Sequence, residues 1–138
     1  MVLVVDSPDT VCTIDTEASL VTVRSRVRAT AVDLGFGIVD QTKLVTAASE
    51  LARNVLRYAE GGEMIIEVLE NSDRRGVRVT FADNGPGIAN VELALRDGYS
   101  TGDSLGIGLP GAKRLVDDLT IDSVLGRGTT VVITTWAS

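Results

Sequence analysis

Chemistry has few places to reside in this 138-residue chain. Histidine is absent and Cys12 is the single cysteine. That removes Ser-His-Asp and Cys-His catalysis, most zinc sites, an intramolecular disulfide and a phospho-histidine relay carried on this chain. Glu50 and Asn54 stand four residues apart in a run of helical periodicity. They therefore share one helix face, a turn apart. A carboxylate there can take a proton, and an amide oxygen is a hard ligand for a cation. Arg57 continues the row. Asp83 follows the strand-like run 77–82 and opens Asp83-Asn-Gly85-Pro-Gly87. Val77, Val79 and Phe81 point one way, Arg78 and Thr80 the other, so Asp83 falls on the apolar side. A carboxylate there is costly unless a donor meets it. Gly106-Ile-Gly108-Leu-Pro-Gly111 then opens a helix-like run. Bare N–H groups and the helix dipole at such a start favour an anion such as phosphate. Seven of the 14 glycines fall within 83–111.

The elements that must position these residues follow from periodicity. A short strand is expected over 10–14. A helix over 19–34 carries the stripe Leu20, Val23, Val27, Ala31 and Leu34. Arg24, Arg26 and Arg28 lie off that stripe and read as a solvated face. Gly35-Phe36-Gly37 ends the helix. Asp40 is a candidate N-cap for a second helix to residue 58, with Leu44, Ala48, Leu51, Val55 and Tyr58 as its buried stripe. Gly61-Gly62 breaks it. Strands over 63–69 and 76–82 make an antiparallel hairpin about the turn 71–75. Pro110 suits the first turn of a third helix with the stripe Ala112, Leu115, Val116 and Leu119. Strands over 120–124 and 129–136 flank the turn 125–128. The expected fold class is α+β: an α/β sandwich, mainly antiparallel, with three helices on one face. Residues 88–105, polar and long for a connection, read as a lid.

Composition sets outer limits. With 44% apolar residues the chain can build one core, so residues 1–138 are expected to form a single domain. The aromatics are few (Phe36, Tyr58, Phe81, Tyr99 and Trp136), which leaves the core to aliphatic side chains. A net charge of −6 argues against nucleic acid, though not against a nucleotide whose phosphates meet Mg²⁺ and backbone N–H groups. The N-terminal residues lack the pattern of a signal peptide, and no apolar run approaches the about 20 residues of a membrane span. No membrane association and a cytoplasmic location are expected. The G-x-G-x-x-G at 106–111 follows no strand, so it does not mark a dinucleotide fold, and no P-loop pattern occurs.

Four features in order account for more: Glu50-x-x-x-Asn54, Asp83-x-Gly85-x-Gly87, Gly106-x-Gly108, and Gly126-x-Gly128-Thr129-Thr130. Together they resemble the N, G1, G2 and G3 boxes of the GHKL ATPases, whose ATP site is the Bergerat fold. The resemblance covers about residues 10–136. The runs 104–115 and 126–136 are similar to those of the small bacterial serine/threonine switch kinases of the RsbT type, with the SpoIIAB and RsbW types near.

The resemblance implies roles. Asp83 would accept a hydrogen bond from the adenine amino group, with Gly85 and Gly87 letting the backbone approach the nucleotide. Asn54 would ligate Mg²⁺. Gly106 and Gly108 would present N–H groups to the phosphates, and Arg57 would meet one of them. Tyr58 would line the adenine pocket and Thr130 would reach the adenine directly or through water. Glu50 would be the general base. Plainer readings stand beside these: Glu50 and Asn54 as a solvated pair, 83–87 as only a turn, and Arg96, Lys113 and Arg114 as surface charges. Cys12 reads as a small strand residue. The implied function is Mg-ATP-dependent phosphorylation of a STAS-domain protein of the RsbS or RsbR kind in a partner-switching stress pathway. Activation of a PP2C-type phosphatase on release is implied too. The alternative is a sequestering protein, such as an anti-sigma factor, in which ATP mainly sets shape. A third reading is an ATPase module of a larger machine.

Overall fold

The computed structural model describes residues 3–4, 11–59, 61–87 and 108–137. Along the chain run β1 (Leu3–Val4), β2 (Val11–Ile14), α1 (Ala18–Asp33), α2 (Ile38–Tyr58), β3 (Gly62–Asn71) and β4 (Arg74–Asp83). Then come α3 (Gly108–Leu115), β5 (Asp118–Val124) and β6 (Gly128–Trp136). The strands form one antiparallel sheet in the order β1-β3-β4-β6-β5, with β2 also paired to β3. The long hairpin β3–β4 turns at Ser72-Asp73, between the paired residues Asn71 and Arg74.

Register and the two-residue period divide the sheet into faces. Met64, Ile66, Val79, Phe81, Val131 and Ile133 are buried and share one face. The helices lie on that side: α1 packs on β2, α2 on β2, β3 and β4, and α3 on α2. Leu44, Ala48, Leu51 and Val55 supply the buried stripe of α2. Ala112 of α3 joins the same core. Each large side chain removed from water there contributes about 1.5–3 kcal/mol. On the opposite face Glu67 and Arg78 pair across the ladder at 3.0 Å. The fold is thus α+β, as the strand and helix order implied.

Three expectations are corrected. The second helix starts at Ile38 behind an extended Gly37, so Asp40 sits inside the first turn and is not the N-cap. Its charge there still favours the positive end of the helix dipole. Gln41 fixes the corner: its Nε2 donates to the Phe36 carbonyl at 2.7 Å, and Arg28 donates to its Oε1 at 3.1 Å. Tyr58 does not extend the buried stripe, being 41% exposed. Leu119 belongs to β5, not the third helix; it faces Ile133 across the ladder and is buried there. Among the described residues no helix is long and apolar enough to cross a membrane.

Candidate functional site

Glu50 lies in the middle of α2 and is only 3% exposed. A buried carboxylate needs donors for both oxygens. One comes from its own helix: Arg53 Nη1 donates to Oε2 at 3.2 Å, the i,i+3 neighbour on the same face. The other crosses to α3, where the N–H of Gly108 donates to Oε1 at 3.1 Å. Gly108 is the first residue of α3, so Glu50 sits where the helix's unpaired N–H groups attract an anion. Helix packing of α3 on α2 therefore joins two motifs 58 residues apart.

A second carboxylate marks the end of β4. Asp83 is half-buried and pairs with Gly62 on one side and Thr129 on the other. Its Oδ1 accepts the N–H of Gly85 at 2.8 Å, closing a local turn, and the N–H of Thr129 at 3.3 Å. Among the described residues Oδ2 receives no donor. Among the described residues the carboxylate is thus held by one oxygen. The 83–87 loop is held from two sides. Gly126 donates its N–H to the Pro86 carbonyl at 3.0 Å. Gly87 adopts φ +80, and a Cβ on it would come within 2.6 Å of the Val124 carbonyl oxygen. A Cβ on Gly85 would meet Ala59 Cβ at 2.7 Å. These two glycines therefore let the loop close against β5 and the end of α2; that contact is with protein backbone and side chain.

Helix α2 connects the two carboxylates. Ala59, which Gly85 abuts, lies nine positions after Glu50, about 14 Å along the helix axis. Asn54 lies one turn beyond Glu50 and is half-buried. Arg57 is exposed, with its Cζ 5.9 Å from the centroid of the Tyr58 ring. The donor set suits an adenine nucleotide: a fixed carboxylate at one end, a helix N-terminus at the other and cations beside it. A magnesium ion, which keeps several waters and binds few protein oxygens, fits the Asn54 amide. Gly106, Arg96 and the segment 88–105 lie outside the described residues.

Register moves one expected contact. Thr130 pairs with Ala82, so alternation puts it on the sheet face opposite Asp83; Thr129 takes the place beside the carboxylate. Both threonines line a cleft of about 550 Å³ at this end of the sheet, yet only Thr129 shares Asp83's face. The Thr129 hydroxyl lies 2.9 Å from that of Ser123. The sequence alone does not decide the face, since Val131 and Ile133 fall on one parity and Val132 and Trp136 on the other; pairing with β4 does. Nothing in the sequence singles out Arg53. An i,i+3 Glu–Arg pair usually means surface decoration, and only the burial of Glu50 gives this one weight.

Comparisons with known proteins bear on the family and the fold. The family model described as "Histidine kinase-, DNA gyrase B-, and HSP90-like ATPase" matches residues 39–137. The chain is 43% identical over 121 residues to "Serine/threonine-protein kinase RsbT" of Bacillus subtilis (strain 168), covering 88% of this chain and 91% of that protein. It is 35% identical over 95 residues to "Anti-sigma F factor" of Clostridium beijerinckii (strain ATCC 51743 / NCIMB 8052), 64% of this chain and 65% of that protein. Among solved structures, the RsbU and RsbW domains of Rv1364c from Mycobacterium tuberculosis match with a TM-score of 0.63 at 20% identity, over 98% of this chain and 32% of that one. The mycobacterial sensor histidine kinase MprB matches with a TM-score of 0.57 at 20% identity, over 91% and 96%. At that identity the structural matches speak for the fold alone.

Proposed function

The chain belongs to the histidine kinase-, DNA gyrase B- and HSP90-like ATPase family, and from that premise we propose that it is a Mg-ATP-dependent protein serine/threonine kinase of a partner-switching pathway. The observation that carries the reading is the buried Glu50 carboxylate held against the first N–H of α3. It brings a proton acceptor to the place where a helix start favours phosphate.

In this reading Asp83 Oδ2 accepts the adenine amino group while Oδ1 stays on the Gly85 and Thr129 N–H groups. Thr129, not Thr130, flanks the base. Gly85 and Gly87 shape the loop beneath it. Gly108, with Gly106, offers N–H groups to the phosphates, and Arg57 meets one of them at the mouth. Tyr58 covers the nucleotide edge. The Asn54 amide oxygen holds Mg²⁺, which screens the phosphate charge when bound. Glu50 takes the proton of the acceptor hydroxyl as its oxygen bonds to the γ-phosphorus; the bond to the bridging oxygen breaks and ADP leaves. Most of the rate gain in such transfers is alignment and charge stabilisation.

The acceptor is a serine or threonine of a STAS-domain protein resembling RsbS or RsbR, and released kinase activates a PP2C-type phosphatase by binding it. The whole chain works as one such domain, in the cytoplasm. Support for this comes from the 43% identity to the RsbT kinase. Incubation with Mg-ATP and candidate STAS domains, followed by phosphosite mapping, tests it: phosphate on a serine or threonine is expected. ATP binding without any phosphorylated acceptor would refute kinase function. It would leave the second reading, a sequestering protein, which the 35% identity to an anti-sigma F factor supports. That reading requires Glu50→Gln to leave partner binding and cellular output intact.

A further inference from the structure

We propose that Arg53 is a positioning residue for Glu50, holding Oε2 in every state of the site so that Oε1 alone takes the acceptor's proton. The inference rests on the reading of Glu50 as general base. Its starting point is the division of labour between the two carboxylate oxygens. Oε2 is paired with Arg53 at 3.2 Å, and Oε1 accepts the Gly108 N–H at 3.1 Å. These anchors differ in kind. Gly108 opens α3, and its N–H is among the groups that a bound phosphate takes for itself. Arg53 is a side chain of α2, one turn from Glu50, and it needs no change in the site to keep its contact.

Nucleotide arrival therefore removes one anchor and leaves the other. Oε1, released from Gly108, becomes the free proton acceptor. Oε2 remains tied, which keeps the carboxylate plane and the side-chain rotamer fixed. The burial contrast supports this assignment. The Glu50 side chain is 4% exposed and that of Arg53 is 39% exposed, so the ion pair spans the boundary between core and surface. Among the described residues Arg53 is the one side-chain donor to Glu50. Without it, a released carboxylate would be buried with no charge partner and would turn away toward water.

The test is a double-mutant cycle on phosphoryl transfer with the full chain, Mg-ATP and a phosphorylated-partner assay. Arg53→Ala is expected to lower kcat by about 10–100-fold, the cost of a catalytic group displaced by an ångström or so. The KM for ATP is expected to stay within about threefold, and Arg53→Lys to fall between Arg53→Ala and wild type. In the Glu50→Gln background, Arg53→Ala is expected to have no further effect, since residues acting as a unit are not additive. The inference is overturned if Arg53→Ala costs the same factor with and without Glu50. It is equally overturned if Arg53→Ala raises KM for ATP at unchanged kcat, which would make Arg53 a phosphate contact. Melting curves separate a folding defect from either result, and Arg53→Gln, which keeps the side-chain length, serves if Arg53→Ala is unstable. A wild-type chain that binds ATP but transfers nothing refutes the underlying kinase reading and this inference with it. Transfer by wild type with full activity in Arg53→Ala refutes this inference alone.

Discussion

Asp83 and Thr129 stand opposite each other across the β4–β6 ladder, and the Thr129 N–H donates to Asp83 Oδ1 at 3.3 Å. The bond joins two glycine motifs 46 residues apart in the chain. It fixes one oxygen of a carboxylate at a strand end, the same oxygen that accepts the Gly85 N–H. The Glu50–Gly108 contact is a second bond between motifs far apart in the chain, formed midway along α2.

Asp83→Asn should weaken adenine nucleotide binding by about 10–100-fold, because a hydrogen bond to a charged acceptor is worth about 1.5–3 kcal/mol. The asparagine oxygen can still accept the Gly85 and Thr129 N–H groups, so the melting temperature should move little. Titration calorimetry with ATP and with GTP checks this; equal loss for both nucleotides would mean that Asp83 does not read adenine.

Glu50→Gln should lower the rate of phosphate transfer by about 10²–10⁴, the usual worth of a positioned base. Nucleotide affinity should change only a few-fold. Single-turnover transfer measured beside nucleotide binding separates the two effects.

The two neighbouring threonines should behave differently. Thr129→Val removes a hydroxyl on the Asp83 face and should weaken nucleotide binding about three- to tenfold, one neutral hydrogen bond. Thr130→Val, on the other face, should leave affinity within about twofold of wild type. The reverse ranking would show that the β6 register does not decide which threonine meets the nucleotide.

Phe81→Ala should cost about 3–5 kcal/mol of unfolding free energy, because a large side chain 2% exposed leaves a cavity among Met64, Val131 and the α2 stripe. Denaturant titration measures it. That is a large share of the about 5–15 kcal/mol typical of a domain. A loss below about 1 kcal/mol would contradict the central position assigned to β4.

Much of the fold is legible in the sequence. The α2 stripe from Leu44 to Val55 and the alternation Val77, Val79, Phe81 reflect single physical periods, and both elements lie where those periods put them. Boundaries were less legible. Leu119 continues the three-and-four spacing of the third helix, yet strand pairing with β6 claims it, because ladder bonds to Ile133 compete with one more helical turn. Tyr58 keeps the α2 spacing but lies at the helix end, past the sheet surface that buries Val55. Arg53 could not be distinguished from any exposed arginine, since its significance comes from how deeply its partner is buried. The motif residues were legible as types; which oxygen each donor meets depends on packing between elements far apart in sequence.

The most direct measurement is a crystal structure of the full chain with Mg²⁺ and a non-hydrolysable ATP analogue. The prediction is an adenine amino nitrogen within hydrogen-bond distance of Asp83 Oδ2 and phosphate oxygens on the N–H groups that open α3. A nucleotide bound elsewhere, with Asp83 facing only water, would contradict the account.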